Sequence, residues 1–487
     1  MKKVLVTTTM LALGALTADA QRLMGVATGN WSGTTSLGLN PANVADSRSR
    51  FVLDLFSLNF GVDNNLASVN LSKVTGSTGD GLGGGGLLTF SGNNKFNIVM
   101  PVAEIRGPGA MYTIDHKNGI ALTTRVRAFN QFNNFDRTLF QSIMDPASAA
   151  STGYNFTSNK FNWTAQMWSE FNLSYGRVLY EKGKHFIKAG ITVGRTNGVG
   201  FVSVSGSNLD AQFYNGDSMV VTNTNVQFAS SVIDSAGQLG SGFSDVSFFG
   251  KGGGNGGGGF RADIGAVYEY RPDNIDVNDH SANKYRVRGS LSITDLGKIR
   301  YNNAVGVGIQ GNGTMSASDM AKNFLNYSNL KDYASSRGFN VDTGKKAAKV
   351  GLPTALILGA DYYIMGHFYV NGTWIKNMAN RGKFGNSYYG QLTITPRFDT
   401  KVFTLALPLT YSSMTKGVKA GLGIRFGGFF IGSDDMLLFI SDKAYGVNFY
   451  MGGYVPINRK YKKSKSTETQ STTPAASSTD QKPAGEK

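Results

Sequence analysis

The residues able to do chemistry are few. The 487-residue chain has no cysteine and four histidines, His116, His185, His280 and His367, no two of them close in sequence. A thiolate metal site, a cysteine nucleophile and a disulfide framework are therefore excluded. No spacing pairs a serine with a histidine in the manner of a hydrolase, so enzymatic activity is not expected. The acidic stretch Asp273-Asn274-Ile275-Asp276-Val277-Asn278-Asp279 offers hard oxygen donors for calcium. It lacks the EF-hand glycine and terminal glutamate, and reads as a polar connecting loop. The run Gly252 to Gly259 imitates a phosphate loop but has no following Lys-Ser/Thr and leads into a strand, so it is read as a turn. No cofactor and no metal are expected.

The remaining chemistry is charge. Lys and Arg number 48 against 32 Asp and Glu, a formal net charge of +16. These cations form no basic stripe along a helix, which argues against nucleic acid. Arg125, Arg127, Arg261, Arg286, Arg288 and Arg425, with Asp263, Glu269 and Asp361, instead recur at alternate positions of segments whose other residues are apolar. From Phe260 the apolar face carries Phe260, Ala262, Ile264, Ala266, Tyr268 and Tyr270, and the polar face Arg261, Asp263, Glu269 and Arg271. Segments from Tyr285, Leu356, Phe403, Val418 and Tyr445 repeat the period of two, with Lys284, Arg286 and Arg288 opposite Tyr285, Val287 and Gly289. Period-two alternation over ~10 residues marks strands with one apolar and one polar face.

The elements that hold these charges are long strands, ~10–14 residues against a usual mode of 5–6, as suits a tilted passage across a bilayer. Aromatics near their ends (Tyr268/Tyr270, Tyr362/Tyr363, Trp374, Tyr388/Tyr389, Phe429/Phe430) fit interfacial girdles. About a dozen segments alternate clearly; weaker ones at 211–228 and 297–310 raise the count to ~14, an even number as closure requires. The reading is all-β: a closed antiparallel transmembrane β-barrel of about 14 strands over 51–457, facing outer-membrane lipid. Its inward charges form a lumen network. Turns are expected at Asp295-Leu296-Gly297, Met365-Gly366-His367 and Phe398-Asp399-Thr400.

Four regions break the pattern. Residues 1–20 read as a secretory signal, with Lys2 and Lys3, an apolar run Val4 to Leu16 and Ala18-Asp19-Ala20 as cleavage site. Residues 21–50 are expected to form a lumenal plug, and 75–115 an irregular stretch with a short helix before Pro108. A helical loop insertion is expected near 313–340, capped by Ser316-Ala317-Ser318-Asp319. From 458 to 487 the chain is basic, then Ser/Thr/Pro-rich. It is expected to be a disordered tail that could tether to other envelope proteins or peptidoglycan.

Leu39-Asn40-Pro41-Ala42, Ala262-Asp263-Ile264-Gly265-Ala266-Val267-Tyr268, Leu291-Ser292-Ile293-Thr294-Asp295-Leu296-Gly297 and Gly427-Gly428-Phe429-Phe430-Ile431-Gly432-Ser433 together resemble the FadL-like outer-membrane barrels. The likeness is to their Bacteroidota branch, which is related to the barrel subunit of the type IX secretion system. That resemblance implies 14 strands, a location in the outer membrane of a Gram-negative bacterium, and an N-terminal plug bearing Asn40, Pro41 and Ala42. It also implies passage of small, hydrophobic ligands, although the arginine-rich lumen face and the basic tail depart from the pattern. The expected function is an outer-membrane channel or transporter. The alternative is a non-transport scaffold that docks secretion or assembly partners through loops and tail. An apolar-lined pocket leading to a wall gap would mark the first, and a lumen sealed by paired charges the second.

Overall fold

The computed structural model describes residues 22–70, 88–137, 155–157, 160–215, 218–232, 256–272, 283–316, 319, 327–380 and 383–458. The signal segment, the acidic loop 273–279, Gly252 to Asn255 and the tail beyond Asn458 lie outside these residues.

Alternation is realised as a ring. The strands are β1 (Ser49–Asn64), β2 (Lys95–Thr113), β3 (Asn118–Asp136), β4 (Phe161–Lys182), β5 (His185–Asn215), β6 (Ser218–Ser230), β7 (Gly257–Tyr270), β8 (Val287–Ser316) and β9 (Asn340–Gly351). They continue as β10 (Ala355–Met365), β11 (Phe368–Asn377), β12 (Gln391–Asp399), the two-part β13 (Phe403–Ala406, Leu409–Ser412) and β14 (Gly417–Ala420, Leu422–Phe426), β15 (Phe429–Ser433) and β16 (Gly446–Asn458). All but β6 and β9 form an antiparallel circuit of about 14 strands. It closes where β16 pairs β1, from Phe51↔Ile457 to Asp63↔Gly446. Closure leaves no open edge in the circuit.

One face of the wall points out. Leu122, Leu173, Ile191, Ile264, Leu291, Leu358, Leu392, Leu409 and Phe449 are 38–54% exposed. Their neighbours Glu170, Asn172, Arg261, Asp263, Ser292 and Thr393 are buried. An apolar exterior around a polar interior is the arrangement of a barrel solvated by lipid. Among the described residues no helix is long and apolar enough to cross a membrane.

The two ends differ. At one end most turns are short, 114–117, 183–184, 366–367, 400–402 and 427–428, with the connection 271–286 the long exception. At the other, β5 and β8 run to 31 and 30 residues. Beyond the stretch where β7 lies between them, β6 takes its place, joining Val202↔Ser230 on β5 and Val305↔Ser230 on β8. The outer half of β8 also pairs β9. Phe161, Val204, Met219, Phe228, Val307 and Phe339 fill an apolar core in this outer wall.

Several expectations are corrected. Residues 95–113 of the supposed irregular stretch 75–115 are β2, whose alternation is broken by register shifts at Val99/Ala103 and Arg106/Gly109. Asp295-Leu296-Gly297 is no hairpin turn but lies within β8, where Asp295 takes a φ of 58° beside a bulge opposite Ala262/Ile264. Of the helical insertion, the described part is the ten-residue helix Tyr327–Ser336; Gly313–Ser316 still belong to β8, and β9 begins at Asn340. Tyr268, Tyr362, Trp374 and Phe429 face outward, but Phe430 is buried and Tyr388 and Tyr389 sit inside the lumen.

Candidate functional site: the plugged lumen

The lumen is filled from both ends. From the short-turn end enters the plug, residues 22–48. It holds a four-residue helix α1 (Met24–Ala27) and two 3-10 turns, Gly33–Gly38 and Pro41–Val44. With so little regular structure, the plug leans on the wall for its hydrogen bonds. Met24 N and Gly25 N donate to the Asp434 carboxylate at 2.8 and 3.1 Å, and Asn30 N to Asp399 at 2.7 Å. Lys188 Nζ donates to Ala45 O at 2.8 Å. Leu23, Met24, Val26, Leu37 and Val44 bury against Val52, Ile357, Phe430 and Tyr454.

Asn40, Pro41 and Ala42 open the second 3-10 turn. The Asn40 side chain accepts from Ala42 N at 2.9 Å, capping the second 3-10 turn, and donates to Ala266 O and Leu291 O, both at 3.0 Å. The seat beneath them is a row of glycines on four adjacent strands: Gly119↔Gly176, Gly176↔Gly190, Gly190↔Gly265. Next in the row is Ser292, opposite Gly265, whose hydroxyl donates to Leu39 O at 2.5 Å. Plug backbone lies so close that a Cβ on Gly190 would stand 2.6 Å from Ala42 N, and one on Gly176 2.6 Å from Val44 Cγ1. Only residues without a side chain leave this groove open.

From the long-loop end, the chain between β11 and β12 folds inward. Ser387 exchanges hydrogen bonds with Gln131 at 2.8 and 2.9 Å, and Asn386 donates to Gln166 at 3.1 Å. Tyr388 reaches the middle of the lumen, where its hydroxyl contacts Arg127 and Asp295. The plug's Arg22 lies over its ring at 4.7 Å. The two closures therefore meet at Arg22 and Tyr388.

Around that meeting point the wall charges gather. Asp295, turned inward at its bulge, pairs with Arg127 at 2.9 Å, Arg261 at 3.0 Å, Arg22 at 3.4 Å and Arg125 at 3.5 Å. Glu170 adds Arg125 at 2.7 Å, Arg127 at 3.3 Å and Arg261 at 3.4 Å. Asp263 pairs with Arg261 and accepts from Asp295 N at 2.6 Å, and Glu104 faces Arg106 and Arg127. Toward the short-turn end lies a second cluster. Asp361 holds Arg397 at 2.7 Å, Arg288 at 3.0 Å and Tyr285 OH at 2.5 Å, while Arg271 joins Glu269 at 2.5 Å and the plug's Asp46 at 2.7 Å. Lys284 is 3.0 Å from Asp46.

Arg125, Arg127, Arg261, Asp263, Glu269, Arg288 and Asp361 all take part in these inward charge clusters. Arg425 is buried too, but it clamps a turn, donating to Thr400 O at 2.6 Å and Gly427 O at 2.7 Å. Arg286 is a correction: it sits at the exposed rim, donating to Ile364 O and Tyr362 OH at 2.9 Å. The strand starts only at Val287, so Lys284 and Tyr285 are both buried and the alternation does not extend back to Arg286. The partners that sequence reasoning missed are Glu104, Glu170, Asp295, Arg397, Lys188 and Asp434. Glu170 was within reach, since it shares the inward face of β4 with Asn172 and Ser174.

Burial alone would raise the Asp46 carboxyl, but Lys284, Arg271 and Lys188 outweigh it and hold it well below its ordinary 3.8. Its contribution is therefore present above the ordinary carboxylate value and is lost only as pH falls far beneath it. Pepsin at about pH 3.5 should leave the plug uncut in the wild type and cut it in Asp46→Asn. Cleavage of both alike would show that Asp46 does not hold the plug.

A model of a family of unknown function (DUF5723) matches residues 41–434. No curated protein matches the chain in sequence. Among solved structures, the chain is similar to a Pseudomonas aeruginosa FadL homologue at 13% identity, covering 91% of this chain and 99% of that one with a TM-score of 0.41. The Ralstonia pickettii toluene transporter TbuX is 11% identical, with 89% and 98% covered and a TM-score of 0.39. The Pseudomonas putida toluene transporter TodX is 8% identical, with 90% and 96% covered and a TM-score of 0.40. The barrel assignment rests on the closed circuit of strand pairs itself.

Proposed function

We propose, for a chain that belongs to the family of unknown function DUF5723, a gated channel in the outer membrane of a Gram-negative bacterium, held here in its closed state. The observation that carries this reading is how the lumen is shut. The seal is made by two segments separate from the wall, the plug and the inward loop, and the wall keeps a glycine groove to receive one of them. A barrel that served only to display loops could fill its lumen with its own side chains.

Barrels of this kind place short turns in the periplasm and long loops outside, so the plug enters from the periplasm. Ser49 and Asn458, partners in the closing ladder, lie at that end, and the basic tail sequence therefore starts there. This supports the tail as a periplasmic contact with envelope proteins or peptidoglycan. The cavities beside the plug are lined by many polar and charged groups, which favours a polar solute over a hydrophobic one. The Bacteroidota ancestry and the kinship with a secretion barrel stay a family-level reading, supported by Leu39-Asn40-Pro41-Ala42 in its plug position.

A second reading, the docking scaffold, draws on the paired wall charges gathered in the middle of the lumen. Planar-bilayer conductance separates the two. Wild type should show little current, deletion of 22–48 more, and deletion combined with a short Gly/Ser replacement of 383–390 a steady open channel. A doubly altered barrel that keeps its heat-modifiable fold yet stays impermeable would sink the channel and leave the scaffold.

A further inference from the structure

The periplasm-facing mouth of the lumen holds a cavity of about 610 Å³, counting its open entrance. Its walls carry Arg48, Lys188, Arg271, Lys284 and Arg288 against two carboxylates, Asp46 and Glu269, an excess of three positive charges (5 − 2). Most of these cations have partners. Arg271 and Lys284 hold Asp46, and Arg288 holds Asp361.

Lys188 stands apart. It is 5% exposed and donates to the neutral Ala45 carbonyl, with Glu269 and Asp46 near enough to act on its charge but not in contact with it. Asn30 lines the same cavity. Its side-chain amide lies 2.7 Å from the Tyr285 hydroxyl, whose one proton goes to Asp361. A buried ammonium with a single neutral acceptor, bordering a cavity, costs free energy unless a further acceptor arrives. The acceptor that answers it, in a mouth with surplus positive charge, is an oxyanion.

We infer that this mouth is a binding site for a small oxyanion, a carboxylate or phosphate compound. The site lies between plug and wall: Arg48 and Asn30 come from the plug, Lys188, Arg271 and Arg288 from β5, the end of β7 and β8. An occupant therefore bears on the hold of the plug itself. The inference deepens the channel reading by naming a solute class, and binding to the closed protein can be measured apart from conduction.

The test is calorimetric titration of the folded, full-length protein in detergent with inorganic phosphate and with citrate, against chloride at matched ionic strength. Saturable binding of phosphate or citrate, absent for chloride, is expected, and the tighter of the two tells phosphate from carboxylate chemistry. Lys188→Met and, at a less buried position, Arg48→Gln should each weaken it at least tenfold, while Lys376→Met, on the exposed outer wall, should leave it unchanged. No saturable signal for either oxyanion, or equal affinity in both mouth variants and the wild type, overturns the proposal whatever the conductance assays show.

Discussion

Asp295→Asn should lower the unfolding free energy by about 3–5 kcal/mol, the loss expected when one partner of a buried ionic cluster is removed. The wild-type carboxylate lies within 3.5 Å of Arg22, Arg125, Arg127 and Arg261. Without it, the five arginines of this cluster, Arg106 included, would share only Glu104, Glu170 and Asp263. Asparagine tolerates the left-handed backbone that Asp295 adopts, so the change isolates charge from strain. The readout is urea unfolding in micelles, followed by loss of the heat-modifiable band. Arg22→Gln in the same background removes one stranded cation and should return part of the loss, a coupling that a double-mutant cycle measures. If Asp295→Asn unfolds with the wild type, the cluster does not hold the lumen together.

Gly190→Val should expel the plug while leaving the barrel standing. Its Cβ would meet Pro41 and Ala42 backbone at 2.6 Å, atoms that no side-chain rotation can clear. Valine itself suits a strand, so the damage falls on the plug and not on the wall. The expected result is a heat-modifiable barrel whose plug is clipped by trypsin at Arg22 or Arg48, with conductance approaching that of the plug deletion. Gly289→Val is the control, because a Cβ there meets nothing within 4 Å. A Gly190→Val protein whose plug stays protected would show that the groove is not its seat.

How much of this was legible follows from what the period of two encodes. Wherever a strand keeps an unbroken ladder on one side, as β3 does with β4, β7 with β5 and the inner half of β8 with β10, inward charges such as Arg125, Arg127, Arg261, Asp263 and Arg288 could be assigned from the residue sequence alone. The pattern fails where the pairing slips. The β2–β3 ladder slips at three register shifts, and Glu104 was lost with the phase of β2. Asp295 sits at a bulge, where an Asp-Leu-Gly sequence also suits a turn, and only the ladder with β7 decides between them. The inward loop had no local mark, since Tyr388 and Tyr389 resemble girdle residues and it is distant partners, Arg127, Gln131, Asn133 and Gln166 among them, that draw the loop inside. The glycine row was equally hidden. Its members are spread from position 119 to position 265 and become neighbours only once four strands are in register.

The plug touches that row on β3, β4, β5 and β7, and also reaches β14 to β16, where Gly25 presses on Gly423 and the Tyr450 hydroxyl and Asp434 just past β15 grips two of its amides. These attachment points sit on opposite arcs of the wall and are bridged by fewer than thirty residues of fixed shape. The plug is thus a caliper for the barrel: a wall one hairpin larger or smaller would carry one set of contacts out of reach of the other. Circumference is checked by a segment that contributes no strand to it.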